Sequence, residues 1–188
     1  MDEVGIYRLS GSITDLNRLR QKFDAKPASC VLHEVDINCI TGLLKSFLRQ
    51  LPVSLFTDKL YEDFVGAFYS LGSGTIEASI EADIATNNGV RKMVTLFSDL
   101  PKVNQSTLVY LFEHLIRVSR QEAQNKMSLH NLATVFGPTM MRPALLSSSH
   151  TDLQNLVSNG TLDVMAQSGI VYFFLARMKL GLPIQLSE

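Results

Sequence analysis

Arg8 stands in the run Gly5-Ile6-Tyr7-Arg8-Leu9-Ser10-Gly11, an arginine with a glycine on either side. Glycines so placed let the backbone bend around the residue between them. A guanidinium on such a bend can project from a helical base. It carries its charge permanently and offers a planar fork of donors, a shape that phosphate oxygens accept. Lys45 and Arg49 form a second cationic feature, spaced i, i+4. At about 100° per residue both fall on one flank of a helix, away from the stripe of Leu44, Phe47 and Leu51. Like charges at that spacing repel by about a few tenths of a kcal/mol. An anion outside the helix would offset the repulsion, and a solvated face is the simpler use of the same pattern. Arg8 taken alone likewise fits an ordinary exposed loop.

Two other constellations are incomplete. Cys30, His33 and Cys39 offer three candidate zinc ligands, but a structural site takes four and no fourth is near. Ser149, His150 and Asp152 have the atoms of a catalytic triad. They crowd into one serine-rich stretch, whereas a triad converges from separate rigid elements. The chain has no GxxxxGK[ST], no HExxH, no GxSxG and no pair of CxxC motifs. Gly72-Ser73-Gly74 follows no strand, so it does not bind a dinucleotide. No metal site and no cofactor of the chain's own are expected.

The elements that must position these residues are helices. Ser12 and Asp15 have capping-box spacing ahead of Leu16, Leu19 and Phe23. Asp36 is placed to cap a second helix whose apolar stripe is Ile37, Ile40, Leu44, Phe47, Leu48 and Leu51, with Pro52 ending it. Thr57 or Asp58 opens a third, with Leu60, Phe64, Phe68 and Leu71 inward and Gly72 at its C-terminal cap. Residues 72–89, glycine- and acid-rich, are expected as a surface insertion with a short helix near Ile76 to Ile84. Helices follow from Val90 to Leu100, from Asn104 past Val118, and from Leu129 to Phe136, the last capped by Ser128 and ending at Gly137-Pro138. Residues 145–160 are expected as a mobile loop, and a final helix from about Thr161 to Leu180. Only Cys30 to Val35 alternates with period two. The expectation is an all-α, single-domain bundle of about seven helices over residues 1–188.

Composition agrees with a globular domain. The chain has 188 residues, 46% of them apolar, which argues against disorder. Lys plus Arg is 17 and Asp plus Glu 18, a balance that argues against broad nucleic-acid binding. The densest apolar run, Ile170 to Ala176, is too short to span a membrane. The N-terminus lacks a signal-peptide pattern, and two cysteines make no disulfide framework, so a reducing, cytoplasmic setting is expected.

Three segments in order, GIYRLSG at Gly5 to Gly11, LLKSFLRQLP at Leu43 to Pro52 and NLATVFGPTMMRP at Asn131 to Pro143, resemble the signature blocks of the Rho-family GTPase-activating domain, also called the BCR-homology domain. The longer run from Asn125 is most similar to the BCR and ABR branch. The resemblance implies a RhoGAP-like helical fold and an activator of Rho-family small GTPases in their GTP-bound state, with no nucleic acid and no membrane span involved. It implies that Arg8 is the catalytic arginine finger. It implies that Lys45 faces the GTPase, that Arg49 supports the finger loop, and that Asn131 and Pro138 lie on the binding surface. GTP and magnesium would belong to the partner, and recruitment to membranes would come through the partner or flanking domains. Against the family pattern the chain starts close to the finger, as an N-terminally truncated domain would. Val53 and Ser54 also replace the usual Glu and Pro. A binding-only module of the same fold is the alternative.

Overall fold

The computed structural model describes residues 2–72, 75–143 and 153–186, and among them the regular structure is helical throughout. Side-chain caps start most of the helices. Helix α1 (Ile13–Ala25) begins where the Ser12 hydroxyl accepts the Asp15 N–H at 3.4 Å. Helix α2 (Ile37–Arg49) begins where the Asp36 carboxylate accepts the Asn38 N–H at 2.9 Å. Helix α3 (Tyr61–Tyr69) continues from a single 3-10 turn at Asp58–Leu60. Thr75 caps α4 (Ile76–Glu81), and Asn87 caps α5 (Asn88–Asp99). Helix α6 (Lys102–Ser119) starts directly after Pro101, and α7 (Glu122–Asn125) is one turn long. Ser128 caps α8 (Leu129–Met140), and α9 (Leu153–Lys179) completes the order. Each such cap contributes about 1 kcal/mol by satisfying an otherwise orphaned N–H.

Most of the longer helices share one core around Phe174 of α9, to which α1 adds no residue. Its ring lies 5.0 Å from Phe97, 5.9 Å from Phe56, 6.2 Å from Phe64 and 6.5 Å from Phe112, all fully buried. Buried aromatics at such separations gain edge and stacking terms beyond their area. Helices α8 and α9 lie closest of all. A Cβ on Gly137 would stand 2.7 Å from the backbone of Gln167 and Ser168, so only glycine permits that approach.

The structure corrects several sequence expectations. Nine α-helices lie among the described residues where about seven are expected; α7 is too short to show a period. The alternation at Cys30 to Val35 makes no strand, and a 3-10 turn at Leu32–Glu34 leaves Val31 and Leu32 exposed. The stripe of α2 is not single, because Phe47 is 62% exposed. Helix α8 runs through Pro138 instead of ending there. Proline deprives the carbonyl four residues back, that of Thr134, of its helical donor. Both residues face solvent, so water can take the donor's place. The expected loop at residues 145–160 is helical from Leu153 onward. An internal glycine such as Gly160 costs about 1 kcal/mol, which a long packed helix absorbs. The rest of that expected loop, with Ser149, His150 and Asp152, lies outside the described residues.

Residues 72–89 are not a mere surface addition. Ser79, Ile80 and Gly89 are buried, and α4 is tied to α9 by Arg177. That guanidinium, only 1% exposed, donates to the carbonyls of Ile80 at 2.7 Å, Ala82 at 2.9 Å and Pro183 at 3.0 Å. Residues 73 and 74 lie outside the described set. Among the described residues no helix is long and apolar enough to cross a membrane.

Candidate functional site

The Arg8 loop is a turn built against the rest of the chain. Gly5 takes φ +74°, and a side chain there would meet Leu9 at 2.7 Å, so the position requires glycine. The Arg8 and Leu9 N–H groups both donate to the Gly5 carbonyl at 2.8 Å, closing the turn. The Gly5 N–H donates to the Asn125 carbonyl at 2.8 Å, which ties the turn to α7. Ile6 and Tyr7, each 4% exposed, point into the core. Tyr7 packs edge-on against Phe136 of α8, with ring centroids 5.0 Å apart. Burial pushes its phenol up to about 12.

Tyr7 also takes φ +69°, left-handed backbone that costs a bulky L-residue about 1–2 kcal/mol. The Lys45 ammonium donates to the Tyr7 carbonyl from α2 and helps hold that geometry. Burial first, and the Arg49 charge second, hold the Lys45 amine below its ordinary range. The next residue is exposed. No hydrogen bond or ion pair engages the Arg8 guanidinium among the described residues. Two buried anchors thus precede a free cation.

Within this chain it is Lys45, not Arg49, that contacts the Arg8 turn. Lys45 supports the Arg8 loop, while Arg49, one turn further along α2, is exposed with no side-chain partner among the described residues. The reason is register: Lys45 lies level with the Tyr7 carbonyl. Arg49 is fixed through its backbone instead. Arg142 donates to the carbonyls of Arg49 at 2.9 Å, Leu51 at 2.6 Å and Pro52 at 2.8 Å, closing the C-terminus of α2. Asp58 lies 3.4 Å from the Arg142 guanidinium and accepts the Ser54 N–H at 3.0 Å. Burial alone would raise the Asp58 carboxyl, but the Ser54 hydrogen bonding and the Arg142 charge outweigh it and hold it below its ordinary value.

Asn131 sits in the first turn of α8, partly exposed, with its amide donating to the Lys126 carbonyl at 3.3 Å. Pro138 is two turns further on and exposed, so both lie on one face of α8, with exposed Thr134 between. The connection from α7 to α8 therefore serves two sites: the Asn125 carbonyl holds Gly5, and the Lys126 carbonyl holds Asn131. Asn125 makes that connection rigid. Fully buried, its amide donates to the Val118 carbonyl at 2.9 Å and accepts the Met127 N–H at 2.8 Å. Sequence reasoning missed Asn125, Arg142 and His114. The first two sit inside the segments already singled out, and an Asn just ahead of a capping Ser is a usable signal. A half-buried histidine in a leucine stripe offers none.

The zinc candidates do not gather. His33 is exposed beside Glu34, and Cys39 is buried with its Sγ 3.8 Å from the Ser12 carbonyl.

Comparison with known proteins gives one answer. The chain is 40% identical over 184 residues to the breakpoint cluster region protein of Homo sapiens, which covers 93% of this chain and 13% of that protein. It is 40% identical over 191 residues to the active breakpoint cluster region-related protein of Xenopus tropicalis, covering 100% of this chain and 20% of that one. The chain thus spans a fifth or less of these relatives' length. Among solved structures, human Rho GTPase activating protein 15 superposes with a TM-score of 0.70 at 28% identity, covering 94% of this chain and 74% of the other. A family profile described as the RhoGAP domain matches residues 1–145, which include the Arg8 turn, α2 and α8. The chain belongs to the RhoGAP domain family.

Proposed function

We propose that this chain accelerates GTP hydrolysis by a Rho-family small GTPase in its GTP-bound state, with Arg8 supplied in trans as the finger. The observation that carries the reading is the contrast inside one turn: Ile6 and Tyr7 are buried anchors, and the adjacent Arg8 is exposed with no side-chain hydrogen bond or ion pair among the described residues. The name of the similar protein, Rho GTPase activating protein 15, says Rho GTPase activation of that protein and supports that part of the reading here.

The chemistry needs no nucleotide pocket on this chain. GTP and magnesium belong to the partner. In the transition state, negative charge spreads over the oxygens of the transferring phosphoryl group. A guanidinium delivered there, in an interface that excludes water, stabilises that charge more than it stabilises bound GTP. A finger supplied in trans accelerates hydrolysis by roughly 10³–10⁵. The scaffold's part is positional: Lys45 and Asn125 hold the turn, and Arg49, Asn131 and Pro138 grip the partner. Asn131 suits a grip because an amide donates and accepts at once. This chain completes the partner's active site and performs no reaction alone.

The test is single-turnover GTP hydrolysis by a panel of purified Rho-family GTPases, with and without the chain. Acceleration of at least one member is expected. Binding to a GTP-loaded member without any acceleration would replace this reading with the binding-only one. In the same assay Asn131→Ala should raise the half-saturating concentration about tenfold, as loss of a buried amide contact does.

A further inference from the structure

We infer that Tyr7 and His114 form a clasp that sets the direction of Arg8, which makes His114 of α6 a positioning residue; the inference rests on the function proposed above. Tyr7 is a bulky residue in left-handed backbone, immediately before Arg8. Such a conformation persists only where the surroundings over-determine it. The Lys45 bond fixes the Tyr7 carbonyl, and the Asn125 carbonyl fixes the start of the turn. Phe136 supports one edge of the ring. None of these fixes the ring's far end.

His114 does. Its Nε2 lies 2.5 Å from the Tyr7 hydroxyl oxygen, with the ring centroids 5.8 Å apart and the planes at 83°. The contact joins residues 107 apart in sequence, the N-terminal turn and α6. A phenol both donates and accepts, so it complements either neutral tautomer of the imidazole. Burial first, and the Arg117 charge second, hold His114 below its ordinary range, which favours that neutral ring. With the ring held at both ends, Tyr7 cannot relax toward ordinary backbone geometry. Release would turn the peptide joining Tyr7 to Arg8 and swing the guanidinium with it.

Three variants test the clasp: Tyr7→Phe, which keeps the ring and removes the hydroxyl; His114→Ala; and His114→Gln, whose amide can still meet the phenol. Single-turnover hydrolysis is titrated with each. Tyr7→Phe and His114→Ala should each lower the saturating rate about tenfold, the scale of one buried hydrogen bond. The half-saturating concentration should move less than about twofold, since ground-state binding is left intact. The double variant should be no slower than either single, and His114→Gln should recover part of the loss. Amide hydrogen exchange supplies a readout independent of hydrolysis. The Arg8 and Leu9 N–H groups, which close the turn on Gly5, should exchange about tenfold faster in Tyr7→Phe and His114→Ala. Parental saturating rates, additive losses in the double variant, or losses confined to the half-saturating concentration would overturn the clasp. If the parent chain accelerates no GTPase, the functional proposal falls on its own, and unchanged exchange at Arg8 and Leu9 would then overturn the clasp.

Discussion

Arg8 and Arg177 are the same side chain in opposite use. Arg177 lies near the end of α9, where its donors are taken up by the carbonyls of Ile80, Ala82 and Pro183 and its charge sits 5.6 Å from the centre of the Phe173 ring. Burial pulls that guanidinium below its ordinary range, against the opposing pull of Asp83. Three satisfied carbonyls and a closed core are the return. Arg8 makes no such contact among the described residues, while the residues just before it are sunk into the core. A donor already engaged at home cannot stabilise charge elsewhere, so the difference separates an arginine that builds the fold from one that the fold presents. Arg142 stands between them, fixing the end of α2 so that Arg49 projects.

The comparison is sharpest when each arginine is removed. Arg8→Ala should slow stimulated hydrolysis by roughly 10³–10⁵, equivalent to about 4–7 kcal/mol of transition-state stabilisation. Its thermal unfolding should stay within about 0.5 kcal/mol of the parent, since an exposed side chain is lost. Arg177→Ala should do the reverse. Leaving three buried carbonyls without a donor should destabilise the fold by about 3 kcal/mol or more in denaturant unfolding. The hydrolysis rate per folded molecule should remain parental. If the two variants exchanged these signatures, the division would be wrong.

Arg142→Ala should fall between, with about 2 kcal/mol lost from unfolding and a weaker grip on the partner, because the end of α2 is freed. Equal half-saturating concentrations for variant and parent would remove α2's C-terminus from the interface. The smallest effect is the acid limb of stability. The Asp58 carboxyl titrates below its ordinary value of 3.8 in the folded chain. Its contribution is therefore full above that value and lost as pH falls through the lower folded value. Asp58→Asn should be slightly less stable than the parent at neutral pH, and the gap should close in acid. A constant gap in urea unfolding across that range would contradict the assignment.

The sequence makes the helices legible where a cap and a stripe coincide. Ser12, Asp36 and Ser128 all cap as their spacing indicates, because that geometry is local. Arg8, Lys45, Arg49, Asn131 and Pro138 could be singled out through family-like segments. What could not be read is tertiary. Phe47 fits the apolar period of α2 yet faces solvent, since a stripe wider than its neighbour's contact leaves a residue over. That Lys45 meets the Tyr7 carbonyl depends on which turn of α2 comes level with Tyr7, and no local pattern carries that register. His114 and Asn125 contact a turn near the N-terminus across long sequence separations.

The central claim is that the Arg8 guanidinium favours the transition state over bound GTP. Its most direct test is the affinity of the chain for one Rho-family GTPase loaded either with a non-hydrolysable GTP analogue or with GDP plus a planar fluoride mimic of the transferring phosphoryl group. The parent should bind the mimic complex much more tightly, and Arg8→Ala should lose that preference while keeping its affinity for the analogue complex to within about twofold. Equal affinities in the parent, or a preference that survives Arg8→Ala, would contradict the account.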